Sequence, residues 1–201
     1  MKWYDVKLAT LQKMFSADTT EIVIDDTTKP YLAAMPGAAN TCLNLIATTV
    51  RHIPASIIIE QDGTETGIKK YNLKELQPNY YAIRPSEVYF ETDTCYGRTY
   101  DYRLENTDIF VLDGGIKGKW TIYCDLYPDE ITTNTADDYE LPVYPEVAHL
   151  VSLYIASQLY KDDDIQISTL YYNEFVSTLE DIRKTSVPSQ TEGFVSTKGW
   201  Y

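Results

Sequence analysis

Residues 145–183, PEVAHLVSLYIASQLYKDDDIQISTLYYNEFVSTLEDIR, decide the fold of this chain. Apolar side chains recur at spacings of three and four on both sides of an acidic corner, which predicts two amphipathic helices joined by a tight turn. Between Pro145 and Tyr160 the only acidic or basic side chains are Glu146 and His149. The side of the first helix opposite its apolar stripe, called here its back, therefore consists of small, uncharged residues. We expect it to pack on several sides, either at the centre of a bundle or in a subunit interface.

The acidic corner is explained by the start of the second helix. Asp164 is the predicted cap, and three consecutive carboxylates before a helix start are favoured by the helix dipole. No metal ion is needed to account for them. The predicted apolar side of this helix consists of Ile167, Leu170, Tyr171, Phe175, Leu179 and Ile182.

Two further helices are predicted before residue 55. Asp5 can cap the first of them. The second begins after Thr28, because Pro30 fits a first helical turn, where its missing N–H is no loss. Pro36 lies inside the second pattern, so a kink or break is expected near Met35. The apolar positions are Leu8, Leu11 and Phe15 in the first helix and Leu32, Met35, Ala39, Leu43, Ile46 and Val50 in the second.

Residues 55–126 show the patterns of β-strands. Residues 56–60 (SIIIE) predict a strand. Aromatic or apolar side chains alternate with charged ones in residues 100–105, as in a sheet with one face exposed to solvent. Residues 109–126 predict a hairpin around an Asp-Gly-Gly turn. Its second strand places Trp120, Ile122, Cys124 and Leu126 on one face. Many of the 18 tyrosines fall in this region. Tyrosines in strands usually have a structural role, in which the ring packs in the core and the hydroxyl meets water.

Together these patterns predict an α+β fold: a helical domain of two N-terminal and two C-terminal helices, an inserted antiparallel β domain and an extended C-terminal tail. The predicted boundaries are 1–54 for the N-terminal helices, 55–126 for the antiparallel β domain, 127–184 for a connection and the C-terminal helix pair packing with 1–54, and 185–201 for the extended arm. The arm is aperiodic but rich in large aromatic residues, which disordered segments usually lack. Docking on another subunit or partner, folding back on its own domain, and disorder stay open.

The formal net charge of −13 is concentrated in one segment. Residues 125–183 carry thirteen acids against two bases, whereas the rest of the chain carries seventeen acids and fifteen bases. Such a surface repels phosphate and argues against a protein that grips DNA. A merely solvated face is the alternative explanation.

Other features of the sequence narrow the class of protein. No apolar run is long enough to span a bilayer, so no membrane association is expected. The first fifteen residues lack the pattern of a signal peptide. Cys42, Cys95 and Cys124 are widely spaced, which predicts buried free thiols in a reducing compartment.

Residues that usually carry chemistry are scarce. His52 and His149 have no carboxylate or cysteine at ligand spacing and are predicted to be structural. No glycine-rich phosphate loop, HExxH motif or nucleophile elbow is present. We therefore expect no catalysis, no metal ion and no cofactor.

Five blocks of sequence resemble the head-to-tail connector, or adaptor, proteins of tailed bacteriophages. They are PYLAAMPGAANTCLNLIATT (30–49), YYAIRPSEVYFET (80–92), RTYDYRLENTDIFVLDG (98–114), TIYCDLYPDEIT (121–132) and DDYELPVYPEVAHLVSLYIASQLYKDDDIQISTLYYNEF (137–175). The last block is the most specific. The chain departs from the more compact, mostly helical members in carrying a substantial β region, whose role as a tail-facing platform or an outer contact stays open.

The resemblance implies a non-enzymatic structural protein of the virion, assembled in the host cytoplasm and located at the capsid–tail junction. Its partners would be further copies of itself in a ring that is typically twelve-fold, the portal protein above, and a stopper or tail-completion protein below. DNA would pass through the ring without specific binding. The C-terminal arms of such adaptors commonly embed in the portal, which assigns portal binding to Phe194, Val195, Lys198, Trp200 and Tyr201.

An acidic channel lining would repel the phosphates of DNA and so avoid tight binding. Glu174, Glu180 and Asp181 are therefore the candidate channel residues. A function of another class is a β-rich carbohydrate-binding module that uses exposed Tyr and Trp side chains as stacking platforms. A metal-independent hydrolase is a third alternative.

Overall fold

The computed structural model describes residues 1–15, 17–18 and 20–185, and this part of the chain forms five helices and seven strands. The helices are α1 (Trp3–Met14), α2 (Lys29–Thr49), α3 (Leu73–Leu76), α4 (Pro145–Leu159) and α5 (Ile165–Thr185). The strands are β1 (Ile53–Asp62), β2 (Ile68–Asn72), β3 (Tyr80–Glu91), β4 (Tyr96–Arg98), β5 (Arg103–Glu105), β6 (Ile109–Asp113) and β7 (Lys117–Leu126). The predicted α+β class is confirmed. No helix within these described ranges is long and apolar enough to cross a membrane.

Helix α4 lies at the centre of the helical part, where it packs against α1, α2 and α5. Its small, uncharged back is buried by helices of the same chain: Ala148, Ser152, Ala156 and Ser157 are each no more than 3 % exposed. The opposite side contributes Leu150 and Ile155 to the same core. Of the two expectations for this helix, the structure therefore supports the centre of a bundle.

The corner between α4 and α5 forms as the sequence predicts. The Asp164 carboxylate accepts hydrogen bonds from the backbone N–H groups of Gln166 (2.9 Å) and Ile167 (3.2 Å) and so caps α5. One residue earlier, Asp163 accepts a hydrogen bond of 2.7 Å from the Tyr31 hydroxyl. The acidic corner thus holds both the start of α5 and the start of α2.

Helix α1 begins earlier than predicted. It starts at Trp3, so Asp5 lies in its first turn and accepts a hydrogen bond of 3.0 Å from the backbone N–H of Lys2. The prediction of Asp5 as the cap is therefore wrong. A tertiary contact accounts for the earlier start of the helix. The Trp3 N–H donates to the carbonyl of Tyr139 at 2.8 Å, and this bond fixes the chain before Asp5.

Helix α2 starts where predicted but is not broken. It begins at Lys29 with Pro30 in its first turn, and it continues through Pro36 to Thr49. A proline inside a helix costs about 3 kcal/mol or more through a lost hydrogen bond and a steric clash. Met35 and Ala39 on either side of it are fully buried in the helical core, and this packing offsets the cost.

The β region consists of two antiparallel sheets. The first has the strand order β1-β7-β3-β4 and the second the order β2-β6-β5. The predicted face of β7 is confirmed, because Trp120, Ile122 and Cys124 are all buried in the core between the sheets and Leu126 packs against it. Residues 100–105 form a strand only from Arg103 onwards.

The predicted hairpin over residues 109–126 is wrong, because β6 and β7 belong to different sheets. The Asp-Gly-Gly turn crosses from one sheet to the other and is held by the β1–β2 corner, where the Gly114 N–H donates to the Gly67 carbonyl at 2.7 Å. With its amide nitrogen towards this turn, the buried Gln61 side chain donates to the carbonyls of Asp113 (3.0 Å) and Ile116 (3.1 Å). The turn thus binds both sheets together.

The cysteines differ in their surroundings. Cys42 lies in the helical core and Cys124 between the sheets, so both are buried as predicted. Cys95 is exposed, which contradicts the prediction. It lies in the β3–β4 turn, where its carbonyl accepts from the Thr92 N–H at 2.8 Å and its own N–H donates to the Thr92 hydroxyl at 3.1 Å. Backbone turn geometry, not side-chain burial, accounts for this position.

Candidate functional site

The candidate channel residues all lie on the solvent side of α5. Glu174, Glu180 and Asp181 are each exposed. Residues seven apart on an α-helix point in directions about 20° apart, so Glu174 and Asp181 share one flank, while Glu180 lies about 100° further round. Asp181 also pairs with Lys184 at 3.4 Å. The structure therefore aligns two of the three carboxylates, and the third faces solvent beside them.

The other flank of α5 bears exposed apolar side chains, with Arg183 about five turns after Ile165 in the same direction. Ile165 is 64 % exposed and Tyr172 is 45 % exposed, and they lie seven residues apart on this flank. Leu170, predicted to face the core, is also 64 % exposed and borders the acidic flank. Phe175 and Ser168 lie on the buried side of α5. Leu170 points away from this side and is therefore exposed. Exposed apolar side chains of this kind mark surfaces for contact with other molecules.

The predicted portal-binding residues Phe194, Val195, Lys198, Trp200 and Tyr201 lie outside the described residues. The helix that precedes them is α5, which ends at Thr185.

A second surface was not predicted from the sequence. It is the outer face of the first sheet, formed by Ile58, Tyr89, Tyr96, Arg98 and Tyr123, and is called here the tyrosine face. The strand register puts Ile58 beside Thr121, Thr121 beside Tyr89, and Tyr89 beside Arg98, in one row across the sheet. The alternation of strand side chains was visible in the sequence, but the pairing of the four strands was not.

The rings of the tyrosine face contact one another. Tyr89 and Tyr96 are stacked with centroids 5.5 Å apart and planes 7° apart. Tyr123 meets Tyr89 edge-on at 5.9 Å. Hydrogen bonding with the side chains of Tyr100 and Tyr89 raises the pKa of Arg98, which lies at the β4 end of this row. Of the tryptophans expected as platforms, Trp3 and Trp120 are buried, and Trp200 lies outside the described residues.

The ion pairs of the β region have a structural role. Arg84 contacts Asp125 through two nitrogens, at 2.9 and 2.5 Å, and Glu87 at 3.4 Å. The hydrogen bond to Asp125 raises the pKa of Arg84. Asp125 is only 8 % exposed, so the guanidinium neutralises a buried carboxylate beside the irregular part of β3.

Groups suited to catalysis are not brought together. In the described part of the chain, no cluster of three or more His, Cys, Asp and Glu side chains is placed to hold a metal ion. His52 contacts the Ala47 carbonyl through Nδ1 at 2.9 Å, and His149 is exposed on α4. Burial raises the pKa of the Cys42 thiol, which keeps it protonated and unreactive.

One cleft at the surface is polar and open. Its volume is about 500 Å³, and it lies at the end of the first sheet near Gly118. The other lining residues are Glu60, Gln61, Glu91, Thr92, Asp93, Lys117 and Lys119. Glu91 and Lys119 form an ion pair of 3.4 Å within it. Such a lining offers opposite charges but no nucleophile beside a base.

No protein-family model matches this chain, and none of the curated proteins compared with it matches in sequence. Two surfaces of the molecule are thus candidates for function: the exposed side of α5 and the tyrosine face.

Proposed function

We propose that this protein is a structural component of a tailed-phage virion, a head-to-tail adaptor that forms a ring beneath the portal, extends the DNA channel and links the capsid to the tail. The observation that carries the proposal is the exposed side of α5. One flank bears Glu174 and Asp181, and the other bears Ile165 and Tyr172. A ring subunit needs both kinds of surface, one for the channel and one for its neighbour.

The acidic flank suits a conduit for DNA. Basic side chains bind phosphates and release counterions, which produces strong, non-specific attachment. Carboxylates have the opposite effect and leave no energetic minimum at which DNA would stop. With Glu174 and Asp181 towards the axis and Glu180 exposed further round the helix, the ring would let the genome pass without holding it.

The apolar flank suits contact with a neighbouring copy. Most side chains of helix α4 are buried within the subunit, whereas Ile165 and Tyr172 on α5 are exposed. These two side chains are therefore better placed for this contact. Tyrosine is enriched at the centre of protein interfaces because it combines a large apolar ring with one polar group. In this arrangement the C-terminal arm would reach the portal, and the side of the ring away from the portal would receive the stopper or tail-completion protein.

Removal of residues 186–201 tests the proposal. The truncated chain is expected to unfold with the same free energy as the full chain but to lose attachment to its portal in sedimentation or pull-down experiments. A matched change inside the arm, Trp200→Ala with Tyr201→Ala, should weaken attachment without abolishing the ring contact on α5. Undiminished portal attachment after truncation would refute the role of the arm.

A further inference from the structure

The tyrosine face is open to solvent although its side chains are largely aromatic. Tyr96 is 64 % exposed, Ile58 is 54 % exposed and Tyr123 is 36 % exposed. The inner face of the same sheet packs against the second sheet, so the two faces have different roles. A contiguous exposed patch of this kind marks a binding surface.

The rings are positioned before any ligand arrives. The stack of Tyr96 on Tyr89 leaves the outer face of the Tyr96 ring accessible. Tyr123 stands nearly perpendicular to Tyr89, at 83°, so the cluster offers ring planes in two directions. Because these side chains already contact each other, little rotamer entropy is left to lose on binding.

Polar groups surround the rings. Thr121 and Ser56 lie beside Tyr89 and Tyr123 in the strand register. Arg98 lies at the β4 end of the row. Hydroxyl and guanidinium groups at the edge of an aromatic surface can fix the orientation of a ligand that carries many hydroxyls.

The charges on the tyrosine face select among ligand classes. The face lies outside the acidic segment 125–183, and Arg98 and Lys119 on it balance Glu60 and Glu91, so it has no net charge to attract a polyanion. The polar row next to the rings, Glu60, Lys119 and Glu91, carries both signs and thus favours neither a cation nor an anion. An uncharged ligand that has both an apolar face and hydroxyl groups fits this surface best.

We propose that the tyrosine face binds a neutral oligosaccharide. A pyranose ring has a face of C–H groups with partial positive charge, and this face is attracted by the negative face of an aromatic ring. One sugar ring stacks on Tyr96, and its hydroxyls meet Arg98, two residues further along β4, and Glu91, the register partner of Tyr96. This site is separate from the adaptor role, which is assigned to α5 and the C-terminal arm.

The test uses the full chain and three soluble probes: cellohexaose, maltohexaose and chitohexaose. Isothermal titration calorimetry measures binding to the unaltered protein and to the Tyr96→Ala and Tyr123→Ala variants. Tyr144→Ala, just before α4, is the matched control, since it removes an exposed tyrosine that belongs to neither the tyrosine face nor the exposed side of α5. All three side chains are exposed, so unfolding curves of the variants are expected to match those of the parent.

The proposal expects at least one probe to bind and each sheet variant to weaken it by about tenfold or more, whereas the control variant binds as the parent does. Absence of binding to all three probes at millimolar concentration would overturn it. Binding that both sheet variants retain would also do so. Self-association that Tyr96→Ala abolishes would assign the face to a second copy of the chain instead. Since no portal is present, these outcomes leave the test of the adaptor role untouched.

Discussion

The Ser168 hydroxyl donates a hydrogen bond of 2.7 Å to the backbone carbonyl of Ser157, and this bond joins α5 to α4 where water is excluded. Ser168 is 3 % exposed and Ser157 is fully buried. Small residues at this contact let the two helices approach closely just after the acidic corner. The position of α5, and thus of its two exposed flanks, depends on this contact.

Replacement of Ser168 by alanine is expected to lower the free energy of unfolding by about 1 kcal/mol, the usual net value of a buried hydrogen bond. Urea unfolding followed by circular dichroism measures the change. Ser177→Ala on the exposed side of the same helix is the control and should have no measurable effect. Equal stability of both variants would show that the bond does not hold α5.

Asn40 links helix α2 to the connection that follows the β region. Its amide nitrogen donates to the Ile131 carbonyl and its amide oxygen accepts from the Ile131 N–H, both at 2.8 Å. Asn40→Ala leaves both backbone groups without these partners, which should cost about 1–3 kcal/mol of unfolding free energy. Asn44→Ala, one turn further on and exposed, is the matched control. A loss of similar size in the control would contradict the assigned role.

The three thiols are expected to react differently. Burial raises the pKa of both Cys42 and Cys124, so few thiolates form there at neutral pH. Cys95 is exposed in a turn. A colorimetric thiol reagent should therefore modify one thiol in the native protein and all three after unfolding, and Cys95→Ser should remove the native reaction. Rapid modification of two or three native thiols would contradict the described burial.

Reversal of charge on α5 tests the channel assignment. Phage that carry Glu174→Lys, Glu180→Lys and Asp181→Lys together should eject DNA more slowly, because lysines towards the axis would bind phosphates. The effect should be larger at low salt, where counterions screen less. Asp138→Lys, an exposed acid in the connection, serves as control. Unchanged ejection would indicate that this flank faces outward.

Local signals in the sequence predicted the helical part well. The cap at Asp164 and the start of α2 at Lys29 depend on side chains and proline near the helix ends, so short segments contain the information. The burial of Trp120 and Ile122 follows from alternation along one strand. These features do not depend on distant contacts.

The failures concern contacts between segments far apart in the chain. The hairpin prediction for residues 109–126 failed because the turn between them is bound to the β1–β2 corner. Of the kink or break predicted near Met35, the break is absent because core packing on both sides of Pro36 outweighs the local cost. The tyrosine face requires the pairing of four strands, so the spacing of tyrosines could not reveal it. The candidate acids on α5 were chosen from the acidic composition of their segment and from the resemblance to adaptors, and their place in a channel stays a prediction.

Electron microscopy of the protein mixed with its portal tests the central claim most directly. The account predicts a closed ring of copies beneath the portal, with the acidic flank of α5 towards the axis and Ile165 and Tyr172 against a neighbouring copy. A ring whose channel is lined by the β-sheets would contradict the assignment of α5. A protein that stays apart from the portal as single subunits would contradict the proposed function itself.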